Sequence, residues 1–324
     1  MNHSRVICLG EILFDCLADE PNQSWGEVKS WTAHPGGAPA NVACALVKLG
    51  TSAGFIGAVG SDEGGDRLLG FLQLVGVDTT GIQRHPSAPT RRVYVLRSST
   101  GEREFAGFGN LNTIDFADAY LQAQAIPESL FVNADFLVLG TLELAYQETR
   151  HAITHALKLA DRYNLKILVD INWRPNFWPD PEAAKPLIMD LLKQVDFVKL
   201  SESESIWLFD TTDPGTINYR LNSVEGVLIT KGDRGCSYCL GDHEGYFPGF
   251  SVAVQDTTGA GDGFVAGFIH QVLQLGIPSL QNPETPRAIV TYASAVGALV
   301  TTELGAIAAQ PTAAEVDDFL KQQP

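Results

Sequence analysis

The segment Asp256-Thr-Thr-Gly-Ala-Gly-Asp-Gly-Phe264 holds the residues best suited to chemistry in this chain. After it, Phe264, Val265, Phe268, Ile269, Val272 and Leu273 recur at helical spacing, and Gly276 supplies a stop. The spacing predicts that Gly259, Ala260 and Gly261 lie where a loop becomes the first turn of a helix. Unpaired N–H groups and the positive end of the helix dipole meet there, and the missing side chains let an anion come close. Asp262 adds a carboxylate to the same turn. Alone, an Asp at a helix start is only a favourable dipole partner. Beside a surface built for an anion it suits phosphoryl transfer to an alcohol. The N–H groups would hold the moving phosphoryl group while Asp262 takes the hydroxyl proton. No Walker loop (GxxxxGK[ST]) and no GxGxxG fingerprint occurs, which argues against P-loop and dinucleotide-binding readings.

Such a site needs a rigid frame. Short apolar runs recur along the chain: Arg5–Leu9, Ala53–Ile56, Phe136–Leu139, Lys166–Val169, Phe197–Leu200 and Gly226–Thr230. Runs without polar alternation belong to strands buried on both faces, as in parallel sheets. Helical patterns lie between them, over Ala40–Leu49 and Thr149–Tyr163. The alternation predicts an α/β fold with helices on both sides of a mainly parallel sheet. Residues 12–32 and 90–108 break it. They read as strands and turns of mixed polarity, with Arg92–Leu96, the Ser98-Ser-Thr-Gly101 turn and Arg103–Phe105, and predict a small β lid on a single domain over 1–324. Ligands of open α/β sheets bind beyond the carboxyl ends of the strands, which directs attention to Asp15, Asp170–Asn172, Ser201–Glu204 and Thr230–Gly232.

Composition narrows the partners. The 324 residues are 45% hydrophobic, enough for a sizeable core, and 22 Lys+Arg against 38 Asp+Glu give a net charge of −16. Such a field repels nucleic acid and anionic membrane, so neither is expected as a partner. Five cysteines, an odd number, do not make a disulfide scaffold and predict a reducing, cytoplasmic setting. Cys236-x-x-Cys239 is a lone pair and reads as two structural thiols. His151 and His155 lack the HExxH context of a zinc site, and no Gly-x-Ser-x-Gly elbow occurs.

The 256–264 segment resembles the second signature of the ribokinase-like (PfkB) sugar kinases. Gly36-Gly-Ala-Pro-Ala-Asn41, running on to Leu49-Gly50, resembles the first, and the likeness spans nearly the whole chain. The resemblance implies a three-layer α/β/α sandwich, with Asp262 as general base and the Gly259–Gly261 helix start as anion hole. It implies that Asp15, Gly36, Gly37 and Asn41 contact sugar hydroxyls, and that Arg103 lies near the sugar. Asp170-Ile-Asn-Trp-Arg174 with Trp178 is similar to the DxNxRxxxW segment of fructokinases and 2-keto-3-deoxygluconate kinases, with Ile171 where proline is usual. Asn172 would hold a sugar hydroxyl or the nucleotide end, and Arg174 would contact ligand or tie down its loop.

Lys199-Leu-Ser-Glu-Ser-Glu204 matches the fructokinase variant of a nucleotide-side motif. The resemblance implies ATP and Mg²⁺, with Ser201 near the nucleotide and Glu204 holding Mg²⁺ through water. Thr230 and Gly232 would lie along the phosphates or ribose, and Ser294 stands where many relatives carry Asn near adenine. Asp256 and the backbone of Thr258 are implied as ligands of K⁺. The expected reaction is ATP-dependent phosphorylation of D-fructose to D-fructose 6-phosphate. The alternatives are 2-keto-3-deoxygluconate kinase and a non-catalytic sugar- or nucleotide-binding regulator. Analogy adds a homodimer through the lid.

Overall fold

The computed structural model describes residues 3–98, 103–222 and 224–323. The chain begins with β1 (Val6–Leu9), β2 (Leu13–Ala18), β3 (Trp31–Gly36) and α1 (Ala38–Lys48). It continues through β4 (Ala53–Gly60), α2 (Glu63–Val75), β5 (Asp78–His85), β6 (Arg92–Arg97) and β7 (Arg103–Gly107). Next come β8 (Phe136–Leu139), α3 (Gln147–Tyr163), β9 (Lys166–Asp170) and α4 (Ala184–Leu191). β10 (Phe197–Ser201), α5 (Glu202–Phe209), α6 (Pro214–Arg220), β11 (Gly226–Thr230), β12 (Cys236–Leu240) and β13 (His243–Phe247) follow. The chain closes with α7 (Ala260–Leu275), α8 (Glu284–Val300) and α9 (Ala313–Lys321).

Among the described residues the main sheet has the order β13-β12-β11-β10-β9-β8-β1-β4-β5. Every pairing from β11 to β5 is parallel, and β12 and β13 add an antiparallel hairpin at one edge. The apolar runs explain the layers. In β1, Val6 and Cys8 face one core with Leu46, Phe55, Val265 and Ile289, while Ile7 and Leu9 face another with Ile153, Ile167 and Ile188. Successive strand residues point to opposite faces, so a run without polar alternation must be covered twice. α1, α2, α7 and α8 cover one face; α3 and α4 cover the other. The result is the α/β/α sandwich expected from the sequence.

A second sheet has the order β3-β2-β6-β7, with β2 and β6 parallel and both outer pairings antiparallel. It is the β lid, drawn from both segments that broke the alternation. β3 runs on to Gly36, past the boundary expected at residue 32, so the first glycine of the Gly36–Gly37 turn ends a lid strand. Of the Ser98–Gly101 turn, residues 99–101 lie outside the described residues. A buried Arg91, 1% exposed, anchors the base of β6, with two hydrogen bonds to Asp118 at 2.6 and 2.8 Å. No helix among the described residues is long and apolar enough to cross a membrane. The five cysteines are free and buried.

Candidate active site

The start of α7 forms the floor of the site. Gly259 is its N-cap, with φ +81°, and a Cβ there would lie 2.8 Å from the Ala306 backbone. A side chain is therefore excluded both by conformation and by space. Gly263 N donates to Gly259 O at 2.8 Å, which starts the helical ladder and leaves the N–H groups of the first turn without intrahelical acceptors. Asp262 sits in that turn. Asn41, in the first turns of α1, donates from Nδ2 to Asp262 Oδ2 at 2.8 Å. Burial pushes the Asp262 carboxyl above its ordinary range, against the Asn41 hydrogen bond and the positive charges of Lys199 and Arg174.

Lys199, which the sequence reading passed over, stands beneath this floor. It is 7% exposed, and its Nζ donates to both oxygens of Asp170 at 3.0 Å. A Cβ on Gly261 would lie 3.1 Å from that Nζ, so the ammonium faces the first turn of α7 directly. Burial alone would lower its pKa; the carboxylates of Asp170, Glu204 and Asp262 outweigh it and raise the value. The signal was a lysine inside an apolar strand, Phe197-Val-Lys-Leu200. A charge buried there requires a partner or a ligand.

Asp15 of β2 stands on the opposite wall. A methyl group on Gly36 would overlap its Oδ2, so the glycine is what lets the carboxylate lie against the turn. Burial pushes the Asp15 carboxyl up to about 6, opposed by Arg103 and reinforced by the charge of Asp262. Gly37 has φ +107°, and a Cβ on it would lie 2.5 Å from the Glu11 carbonyl oxygen. Gly37 is thus required by geometry, and Gly36 by the place the Asp15 carboxylate takes.

Arg103 of β7, expected near the sugar, acts with its charge on Asp15, and its head group is held by the loop before α7. Its Nη2 donates to Asp256 Oδ2 at 2.7 Å and its Nη1 to Thr258 Oγ1 at 2.6 Å, which ties the lid to the loop before α7. Asp256 Oδ1 accepts from Thr258 N and Oγ1 at 3.0 and 2.7 Å, and Oδ2 also accepts from Gly305 N at 3.1 Å. Against the cost of burial, these hydrogen bonds and the Arg103 charge hold the Asp256 carboxyl below its ordinary range. The lid is also seated by aromatic rings, Phe108 on Phe177 at 5.1 Å and Phe105 on Phe177 at 6.0 Å.

The loop after β9 carries Asn172 at φ +39° and an exposed Arg174, whose Nη1 donates to Trp173 O at 3.1 Å. The Arg174 charge acts on both Asp15 and Asp262. Ser201 and Glu204 form a reciprocal cap at the start of α5: Ser201 N donates to Glu204 Oε2 at 2.6 Å, and Glu204 N to Ser201 Oγ at 3.3 Å. Glu204 Oε1 accepts from Trp173 N at 2.6 Å, so the same carboxylate holds the 171–173 loop.

A cleft of about 860 Å³ opens from Gly261 along the carboxyl edge of the sheet, lined by Thr230, Gly232, Ala260, Ser294 and Gly297 among others. Ser294 Oγ is buried there with no hydrogen-bond partner. An orphaned hydroxyl facing a cleft is a natural contact for a ligand. The structure thus gathers Asp15, Asn41 and Arg174 around Asp262, and sets Thr230, Gly232 and Ser294 along the cleft. It joins Ser201 and Glu204 to each other and Arg103 to Asp256 and Thr258.

Comparison with known proteins bears on the chain as a whole. The profile of the pfkB family carbohydrate kinases matches residues 3–313. Fructokinase-2 of Oryza sativa subsp. japonica is 34% identical over 320 residues, 98% of this chain and 94% of the relative. Among solved structures, the ATP-bound fructokinase of Xylella fastidiosa superposes with a TM-score of 0.88 at 29% identity, covering 98% of each chain. A double mutant of the Vibrio cholerae O395 fructokinase, with fructose, ADP and potassium ion bound, superposes with a TM-score of 0.84 at 28% identity and the same coverage.

Proposed function

The chain belongs to the pfkB family of carbohydrate kinases, and from that premise we propose that it phosphorylates D-fructose to D-fructose 6-phosphate. It is an ATP-dependent carbohydrate kinase, which removes the non-catalytic regulator from consideration. One observation carries the mechanism: Asp262, held by Asn41, stands in the same helix turn as the anion-binding N–H groups and shares its surroundings with Asp15. In this reading one kinase domain spans 1–324, with the lid closing over the sugar to exclude water.

The sugar lies between Asp15, the Gly36–Gly37 turn and Asn172, with its primary hydroxyl at Asp262. The hydroxyl proton passes to the Asp262 carboxylate as the oxygen bonds to the γ-phosphorus, and the bond to the leaving ADP oxygen breaks. First-turn N–H groups and the Lys199 ammonium stabilise the charge on the transferring group. The transition state is loose, so the proton leaves late and a carboxylate of ordinary basicity serves. The cleft with Thr230, Gly232 and Ser294 takes the nucleotide.

The donor set suits Mg²⁺ in an outer role. Each Glu204 oxygen accepts a backbone N–H and keeps a second lone pair, which would hold a water of the ion. Bound with ATP, Mg²⁺ would neutralise phosphate charge. The residues expected to hold K⁺ do not fit it with Arg103 in place. The Asp256 carboxylate already accepts four hydrogen bonds, one from the guanidinium, so cation and arginine are alternatives at one carboxylate. Replacing K⁺ with tetramethylammonium should therefore change turnover less in the natural protein than in Arg103→Gln, as read by ADP release.

Asp15 sets the acid side of sugar binding. Burial raises its pKa to about 6. The ionised form accepts sugar hydroxyl protons, so affinity should be full above about pH 6 and fall as pH drops through it. The KM for fructose should rise on that acid limb. Asp15→Asn should abolish the limb and raise KM about tenfold or more at neutral pH.

Arg174 favours one second reading. Its guanidinium is exposed beside Asp15 and Asp262, where the carboxylate of 2-keto-3-deoxygluconate would find a cation. Comparing that keto acid with fructose as acceptor separates the two. A homodimer through the lid is supported by the Trp25, Trp31 and Tyr94 cluster, with Trp25 43% exposed, and sedimentation of the purified protein tests it.

A further inference from the structure

Two buried carboxyls, Glu11 and Glu143, take no part in the transfer step. They are 5% and 3% exposed. Glu11 follows β1, and Glu143 lies in the 3-10 turn Leu142–Ala145 after β8; these strands pair directly, which brings both residues to the carboxyl edge of the sheet. The sugar turn rests on them. Glu11 Oε1 accepts from Ala38 N at 2.9 Å, at the start of α1. A Cβ on Gly10 would lie 3.1 Å from Glu143 Oε1 and would overlap the Pro39 ring, so Glu143 and Pro39 converge on the same glycine.

Among the described residues neither carboxyl is held in an ion pair, whereas Asp118 nearby is. The charged group facing the pair from a neighbouring element is Asp118, which Arg91 holds through Nε and Nη2, while Arg91 Nη1 is buried without a hydrogen-bond partner. Glu143 Oε2 is buried and reaches no N–H or other donor. Side by side in a dry site with no ion pair of their own, two carboxyls cannot both ionise, and one proton between them satisfies both.

We propose that Glu11 and Glu143 share one proton and act together as positioning residues, holding the Gly36–Pro39 turn where it meets the sugar and where Asn41 meets Asp262. The inference rests on the kinase reading of that turn. Glu143 carries the proton, because Glu11 already accepts the Ala38 N–H and is the better anion. Burial raises the pKa of both, and the Glu11 charge raises Glu143 further. The proton is thus kept through neutral pH and lost on the alkaline side. Two adjacent anions then repel, the turn shifts, and sugar affinity falls more than the transfer step slows.

The test measures kcat and KM for fructose with MgATP between about pH 6 and 9 in the natural protein, E143Q, E11Q and E143A, with infrared spectra of each. The natural protein should show KM rising about fivefold or more on the alkaline limb, with a smaller change in kcat. E143Q should lack that rise, because its amide gives Glu11 a permanent donor, and E11Q should lack it for the mirrored reason. E143A should raise KM about tenfold at neutral pH, and E143Q should restore it. The spectrum at neutral pH should contain the carbonyl stretch of a protonated carboxylic acid that E143Q and E11Q both remove. An alkaline rise unchanged in both amide variants overturns the proposal, as does a spectrum without that band. Should the natural protein fail to use fructose, the fructose reading of the turn fails, and the infrared arm still decides whether the proton is shared.

Discussion

Asp262→Asn is expected to lower kcat by about 10² or more while leaving the KM for fructose close to its natural value. The amide can still accept from Asn41, so the α1–α7 contact survives the change. It cannot take a proton from the sugar hydroxyl. The anion-binding N–H groups and Lys199 remain, which predicts a residual rate above the uncatalysed one. Steady-state ADP release with purified variant separates the two constants. Undiminished kcat would remove Asp262 from the base role.

The second large effect is expected at Lys199. Lys199→Met leaves Asp170 a buried carboxylate with no counter-charge, at a cost of about 3–5 kcal/mol in stability. It also removes the ammonium that faces Gly261, so kcat should fall beyond what lost stability explains. The double variant Lys199→Met/Asp170→Asn separates these roles. Removing the stranded charge should recover much of the stability, because two neutral groups no longer carry an ion's desolvation cost. Turnover should stay low. Chemical denaturation and ADP release on the three proteins provide the comparison, and recovered turnover in the double variant would make Lys199 a purely structural partner.

Much of this site is legible in the sequence because its information is local. Gly259, Ala260 and Gly261 declare a helix start through the apolar spacing that follows, and Asp262 falls in the same turn by sequence alone. The strands are legible for the same reason: burial on both faces leaves a continuous apolar run. What stayed hidden depends on pairs distant in sequence. Asp170 and Lys199 meet because β9 and β10 are neighbours in the sheet, and Glu11 and Glu143 meet because β1 and β8 are. Arg103 reaches Asp256 only once the lid is folded over the loop. Ser201 and Glu204 show the opposite lesson. Their Ser-x-x-Glu spacing is a local capping signature as well as part of a nucleotide-side motif, and the structure forms that cap.

The central claim is tested most directly by supplying purified protein with MgATP and D-fructose, measuring ADP release, and locating the phosphate on the sugar product by ³¹P NMR. The account predicts fructose-dependent ADP with the phosphate on the C6 oxygen. Turnover only with 2-keto-3-deoxygluconate, or a product phosphorylated at another oxygen of fructose, would contradict it.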